Sequence, residues 1–184
     1  IALQSENGSA TTILDGSNAD SVVVFDNGEV LSSVLRGFTV RNGRAIHLSA
    51  SVLGLGGGIF CKNSSSPMIE ECVLTDNYAE NDGGGIACID SSSPTINDCE
   101  FHANDASMGG GIYLQTNSSP TLLNCTFTDN TAQRAPYAGY GGAMHCDQNS
   151  SPYLQYCTFT DNTADFGGGL HCRYSSSPTL ENCT

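Results

Sequence analysis

Nine cysteines are the residues best able to do chemistry in this chain, and eight of them pair at a spacing of eleven: Cys61/Cys72, Cys88/Cys99, Cys146/Cys157 and Cys172/Cys183. The ninth, Cys125, has Leu114 where its partner would stand. Each pair straddles a Ser-Pro segment almost symmetrically, so the eight are disulfide candidates closing short loops, and Cys125 is the free-thiol candidate. The alternative is two columns of reduced, buried thiols packed as small hydrophobes. Zinc is disfavoured, because no C-x-x-C pair exists. Two further sets recur. His145 and His171 share one repeat position, in the series Phe60, Ala87, Tyr113, His145, His171. Stacked imidazoles can hold a metal, although exposed, solvated histidines are the simpler expectation. Asp76, Asp129 and Asp161 share another position, interrupted by Ala103. Like charges on adjacent repeats repel, so Asp129 and Asp161 are candidate ligands for calcium, the one cofactor considered; water and salt screening relieve the same repulsion.

A lyase or epimerase acting on uronic acids needs a base to take a proton and cations to neutralise the carboxylate. The basic residues are Arg36, Arg41, Arg44, Lys62, Arg134 and Arg173. None is expected beside a carboxylate and another base at matching positions of neighbouring repeats, and the paired carboxylates of a glycoside hydrolase are not evident. No catalytic residue is assigned, and the sequence argues against an enzyme.

The elements that carry these residues repeat. GGGIFC (56–61), GGGIAC (83–88), GGGIYL (109–114), GGAMHC (141–146) and GGGLHC (167–172) each precede a Ser-Pro turn, then a strand ending in Cys, as in MIEEC and TINDC. The third Gly, or Ala143, recurs at 58, 85, 111, 143 and 169, in steps of 27, 26, 32 and 26 residues. Apolar residues alternate within each unit, which is strand periodicity, and Gly and Ser-Pro clusters supply the corners. The pattern is all-β: a β-solenoid of about seven coils of roughly 26 residues, stacked at about 4.8 Å into a rod of roughly 35 Å. Predicted core columns are Ile59, Ile86, Ile112, Met144, Leu170; Ile69, Ile96, Leu122, Leu154, Leu180; and Leu74, Phe101, Phe127, Phe159. Asn77, Asn104, Asn130 and Asn162 are predicted to form a structural ladder whose amides bond along the axis. Residues 1–184 form one domain, with irregular coils over 1–56 and regular repeats over 57–184.

ILDG followed by VVVF, LRGFTVRNG, and repeated GG-x-I with F-x-x-N (Gly84-Gly85-Ile86 with Phe101 and Asn104; Gly110-Gly111-Ile112 with Phe127 and Asn130) resemble the pectate-lyase-type right-handed parallel β-helix superfamily. Within it the likeness is to secreted bacterial β-helix repeat proteins and polymorphic outer-membrane adhesins. The resemblance implies a secreted or cell-surface bacterial protein. For function it implies either a structural or adhesive rod, or a polysaccharide-binding module, lyase or epimerase.

A formal charge of −13, from 6 basic and 19 acidic residues, disfavours nucleic acid and anionic membrane surfaces. No apolar run is long enough to cross a membrane as a helix. The absence of a leader and the start within a strand pattern suggest a piece of a longer solenoid or a subunit that stacks end to end. Expected partners are therefore further copies of the chain, or a cell-surface protein or glycan. Two long connections leave the same corner, after Asn42 and after Asn130. Their residues Arg44, His47, Arg134, Tyr137 and Tyr140 are candidates for a binding groove, by charge and ring stacking.

Overall fold

A computed structural model describes residues 1–49, 52–133 and 138–184, with the backbone alone at 47–49 and 52–53. The chain winds as a right-handed parallel β-helix whose short strands stack into four sheets. Sheet I holds Val23–Phe25, Ile59–Cys61, Ile86–Cys88, Ile112–Leu114, Met144–Cys146 and Leu170–Cys172. After the Ser-Pro turn comes sheet II: Ala2–Gln4, Val34–Arg36, Met68–Glu70, Thr95–Asn97, Thr121–Leu123, Tyr153–Gln155 and Thr179–Glu181. Sheet III comprises Ile13–Asp15, Thr39–Arg41, Val73–Thr75, Glu100–His102, Thr126–Thr128 and Thr158–Thr160. Sheet IV is made of dipeptides, Arg44–Ala45, Tyr78–Ala79, Asp105–Ala106, Thr131–Ala132 and Thr163–Ala164. One antiparallel pair, His47–Ser49 with Val52–Leu53, departs from this pattern inside the first long connection.

Register follows the predicted columns. Ile86 pairs with Ile59 and Ile112, Ile96 with Ile69 and Leu122, and Phe101 with Leu74 and Phe127. The inward residues form one continuous core, in which Phe101, Phe127 and Phe159 stack at 4.6 and 5.0 Å. In the asparagine ladder Asn77, Asn104 and Asn130 are buried, each amide nitrogen donating to the next Asn Oδ1 and to a backbone carbonyl one coil back, such as Leu74 O for Asn104, and the half-buried Asn162 donates to Phe127 O. In the LRGFTVRNG coil the ladder position falls on Gly43, whose N–H donates to Asn77 Oδ1; Asn42 stands one residue earlier, at the left-handed corner. Asp76, Ala103, Asp129 and Asp161 share that corner with φ between 52° and 57°. Asn and Asp tolerate this conformation better than other non-glycine residues, which explains the recurring Asp without a ligand.

A second ladder explains the Ser-Pro turns. Ser65, Ser92, Ser118, Ser150 and Ser176 run along the axis, each backbone N–H donating to the next hydroxyl at 3.1–3.2 Å.

The disulfide expectation is corrected. All nine cysteines are free thiols. Of two cysteines eleven apart, the first lies in a sheet I strand and the second outside the strands, just past sheet II, whereas strand pairing sets Cys88 on Cys61 and Cys172 on Cys146, as neighbours in successive coils. Across the turn, Cys72, Cys99 and Cys125 donate to carbonyls of their own coil at 3.1–3.3 Å. Contact with Cys88, followed by burial, pushes the Cys61 thiol up, so it stays protonated and unreactive. Alkylation in denaturant without reductant should therefore count nine thiols, while the folded chain exposes no more than the half-buried Cys172 and Cys183. A denatured count of one would restore the four bridges.

Candidate functional site

On the outside of sheet I alternation fails to separate core from solvent: Ala87, Tyr113 and His145 point outward yet are buried. The outward residues of the sheet, Phe60, Ala87, Tyr113, His145 and His171, are in register. A column bridged from coil to coil, Leu55, Asp82, Met108, Tyr140 and Phe166, packs against them. Leu55, Ala87, Ile89 and Tyr113 thus make a second apolar cluster outside the helix.

Under this cover the histidines are not solvated as expected, since His145 is 0 % exposed and His171 is half-buried. His145 lies between Tyr113 (centroids 5.7 Å apart) and His171 (4.9 Å), with both rings nearly parallel to its own. The two histidine Nδ1 atoms share a hydrogen bond of 3.1 Å. Burial, then the nearby Arg173 charge, lowers His145 to about 3, so it is neutral at physiological pH. Burial also pushes the Tyr113 phenol up, with Asp82 and Asp147 adding to it.

The next outward position carries Asp147 and, one coil on, Arg173. No basic residue is expected beside both a carboxylate and another base at matching positions of neighbouring coils, yet here Arg173 meets a carboxylate next to the histidine pair. Arg173 Nη2 donates to Asp147 Oδ2 at 2.8 Å, and Asp147 is buried. The guanidinium also lies 5.9 Å from the Tyr140 ring and 5.2 Å from the Tyr174 ring. HCD at 145–147 aligned with HCR at 171–173 is the sequence signal that was available. Ion pairs from coil to coil recur elsewhere, at Lys62–Asp26 (3.8 Å) and Arg41–Asp15 (2.9 Å), and Arg36 contacts Glu71. Three polar atoms of the cluster are buried without a hydrogen-bond partner: His145 Nε2, Asp147 Oδ1 and Arg173 Nε. Beside it, Gln148, Asn149, Tyr174 and Ser175 line an open groove of about 570 Å³.

Of the loop candidates, Tyr140 joins this cluster, whereas Arg44 lies over Tyr78 at 5.1 Å. Arg134 and Tyr137 fall outside the described residues, as does the His47 side chain. Both long connections do leave one corner, between a sheet IV strand (Ala45, Ala132) and the bridged column (Leu55, Tyr140). Asp129 approaches His102 at 3.7 Å, away from the histidine pair. Among the described residues no three His, Cys, Asp or Glu side chains converge as a metal-ligand set.

The buried imidazole links stability to pH. With a folded value near 3 against an ordinary 6.5, His145 binds fewer protons folded than unfolded between those limits. Its contribution is complete above pH 6.5 and is lost as pH falls toward 3, by about 1.4 kcal/mol per pH unit. Urea unfolding at pH 7.5 and pH 5 should show this loss in the native sequence and a smaller one in His145→Phe, which keeps the ring stack. Equal losses would remove His145 as the source.

A family model described as the right handed beta helix region matches residues 5–184. No curated protein matches the chain, and no solved structure does.

Proposed function

The chain belongs to the right-handed β-helix family, and from that premise we propose that it is a non-catalytic extracellular rod with an adhesive face. The observation that carries this reading is the register. Inward columns run without a break, as from Leu35 through Ile69, Ile96, Leu122 and Leu154 to Leu180, so that nearly every position serves the stacking of coils. The titratable cluster of His145, Asp147, His171 and Arg173 is poorly disposed for proton abstraction. Its carboxylate is ion-paired, its arginine is held by that carboxylate and flanked by tyrosines, and His145 is buried behind other rings. A base must reach the proton it takes, and His145 reaches no surface.

An excess of acidic groups keeps such a rod soluble and directs it toward neutral or cationic partners. The exposed Tyr174 and the adjoining groove favour a glycan as the adhesive partner. Incubation with polygalacturonate and alginate should yield no unsaturated uronate absorbance; its appearance would replace the rod by a lyase. Retention on polysaccharide-coated surfaces tests adhesion, and passage at the rate of an inert protein would remove it. Axial self-association is a structural variant of this reading, to be seen as a solution mass that rises with concentration.

A further inference from the structure

We propose that Cys146 and Cys172 are a redox pair, which a small disulfide oxidant such as oxidised glutathione closes into a reversible bond fastening one coil to the next. The position follows from the register. The inward column of sheet I reads Phe25, Cys61, Cys88, Leu114, Cys146 and Cys172, so Leu114 separates two adjacent thiol pairs. Leu114 and Cys172 flank Cys146, which leaves it one partner in the column. Paired residues of a parallel sheet stand about 4.8 Å apart and point the same way. A disulfide accepts Cα separations of about 4.4–6.8 Å, so the backbone already stands within bridging distance. Reach selects between the two pairs. Cys61 and Cys88 are both wholly buried, whereas Cys172 is half-buried and packs on the core beside Cys146.

The two thiols divide the chemistry. Contact with Cys146 lowers the Cys172 thiol, against the opposing effect of burial, so the sulfur that an oxidant reaches is also the readier to ionise. Its thiolate attacks one sulfur of the oxidant and breaks that S–S bond. The departing thiolate takes up the proton that Cys172 released. Contact with Cys172, then burial, pushes the Cys146 thiol up. In the mixed disulfide Cys172 carries no charge, so the first of these effects is relieved. Cys146 then gives up its proton and attacks the Cys172 sulfur. The bond between the cysteines forms, the mixed bond breaks, and the second small thiol leaves with that proton. Two electrons pass from the cysteines to the oxidant, and excess thiol reverses both steps. The closed loop spans one coil, which constrains the unfolded chain and holds the two coils together.

The test is incubation of the folded chain with oxidised glutathione, then alkylation in denaturant and peptide mapping. A peptide linked through Cys146 and Cys172 should appear, disappear with dithiothreitol, and raise the urea midpoint while the bond lasts. Cys61 and Cys88, adjacent in the same column but wholly buried, should be recovered alkylated. A full count of nine alkylated thiols after incubation overturns the inference. So does a stable glutathione adduct on Cys172 with Cys146 free, or a link from Cys172 to Cys183, which would return the bridges to residues eleven apart. Oxidation of Cys61 with Cys88 at the same rate would remove reach as the basis of selection, and an unchanged midpoint would remove the fastening.

Discussion

Asn104→Ala should destabilise the protein by about 4 kcal/mol, read as a fall in the urea midpoint at unchanged slope. Asn104 is 0 % exposed, and its amide serves three neighbours. Its nitrogen donates to Leu74 O at 2.9 Å and Asn130 Oδ1 at 2.9 Å, while its oxygen accepts from the Asn77 backbone at 3.2 Å and side chain at 3.0 Å. Truncation strands the Leu74 carbonyl and the Asn77 N–H groups in the core, at about 1–3 kcal/mol for each unsatisfied group. The coil cannot collapse to compensate, because its corner is fixed by ladder bonds on both sides. A loss below about 1 kcal/mol would mean that water enters the corner and takes over these bonds.

Phe127→Ala should cost a similar amount, about 4 kcal/mol, by another route. The ring is fully buried between Phe101 and Phe159 at 4.6 and 5.0 Å, so alanine leaves a cavity and breaks two stacks. Phe127→Leu should cost only about 1 kcal/mol, since the same column carries Leu74 and Val40 without distortion. If leucine proved as costly as alanine, ring stacking rather than filled volume would be the source.

Much of the scaffold was legible because solenoid geometry repeats: once the step was read, the aliphatic, aromatic and asparagine columns followed residue by residue. The cysteines misled because a spacing of eleven describes neighbours along the chain. The thiol a cysteine meets in space is one coil away, as for Cys61 and Cys88, or Cys125 and Cys157. His145 misled for a different reason. Alternation says which side of a strand a residue occupies, but not that Met108 and Tyr140 fold over that side. The Asp147–Arg173 pair was readable from the aligned HCD and HCR, yet it draws attention only when outward columns are compared as inward ones are. The shift between Asn42 and Gly43 shows the limit of motif matching where a coil lacks its cysteine.

The stacking of coils has a mechanical meaning. Every ladder hydrogen bond between coils points along the rod, while the covalent chain passes from one coil to the next only once per turn. A pull on the two ends therefore loads the outermost coil and peels it before the next feels the full force. Extension should proceed as a sawtooth, each tooth releasing one coil. For a 26-residue coil the gain is about 90 Å of contour, and for the 32-residue coil nearer 110 Å. The rod would act as a stepwise shock absorber, and its longer teeth would mark the coils that carry the two long connections.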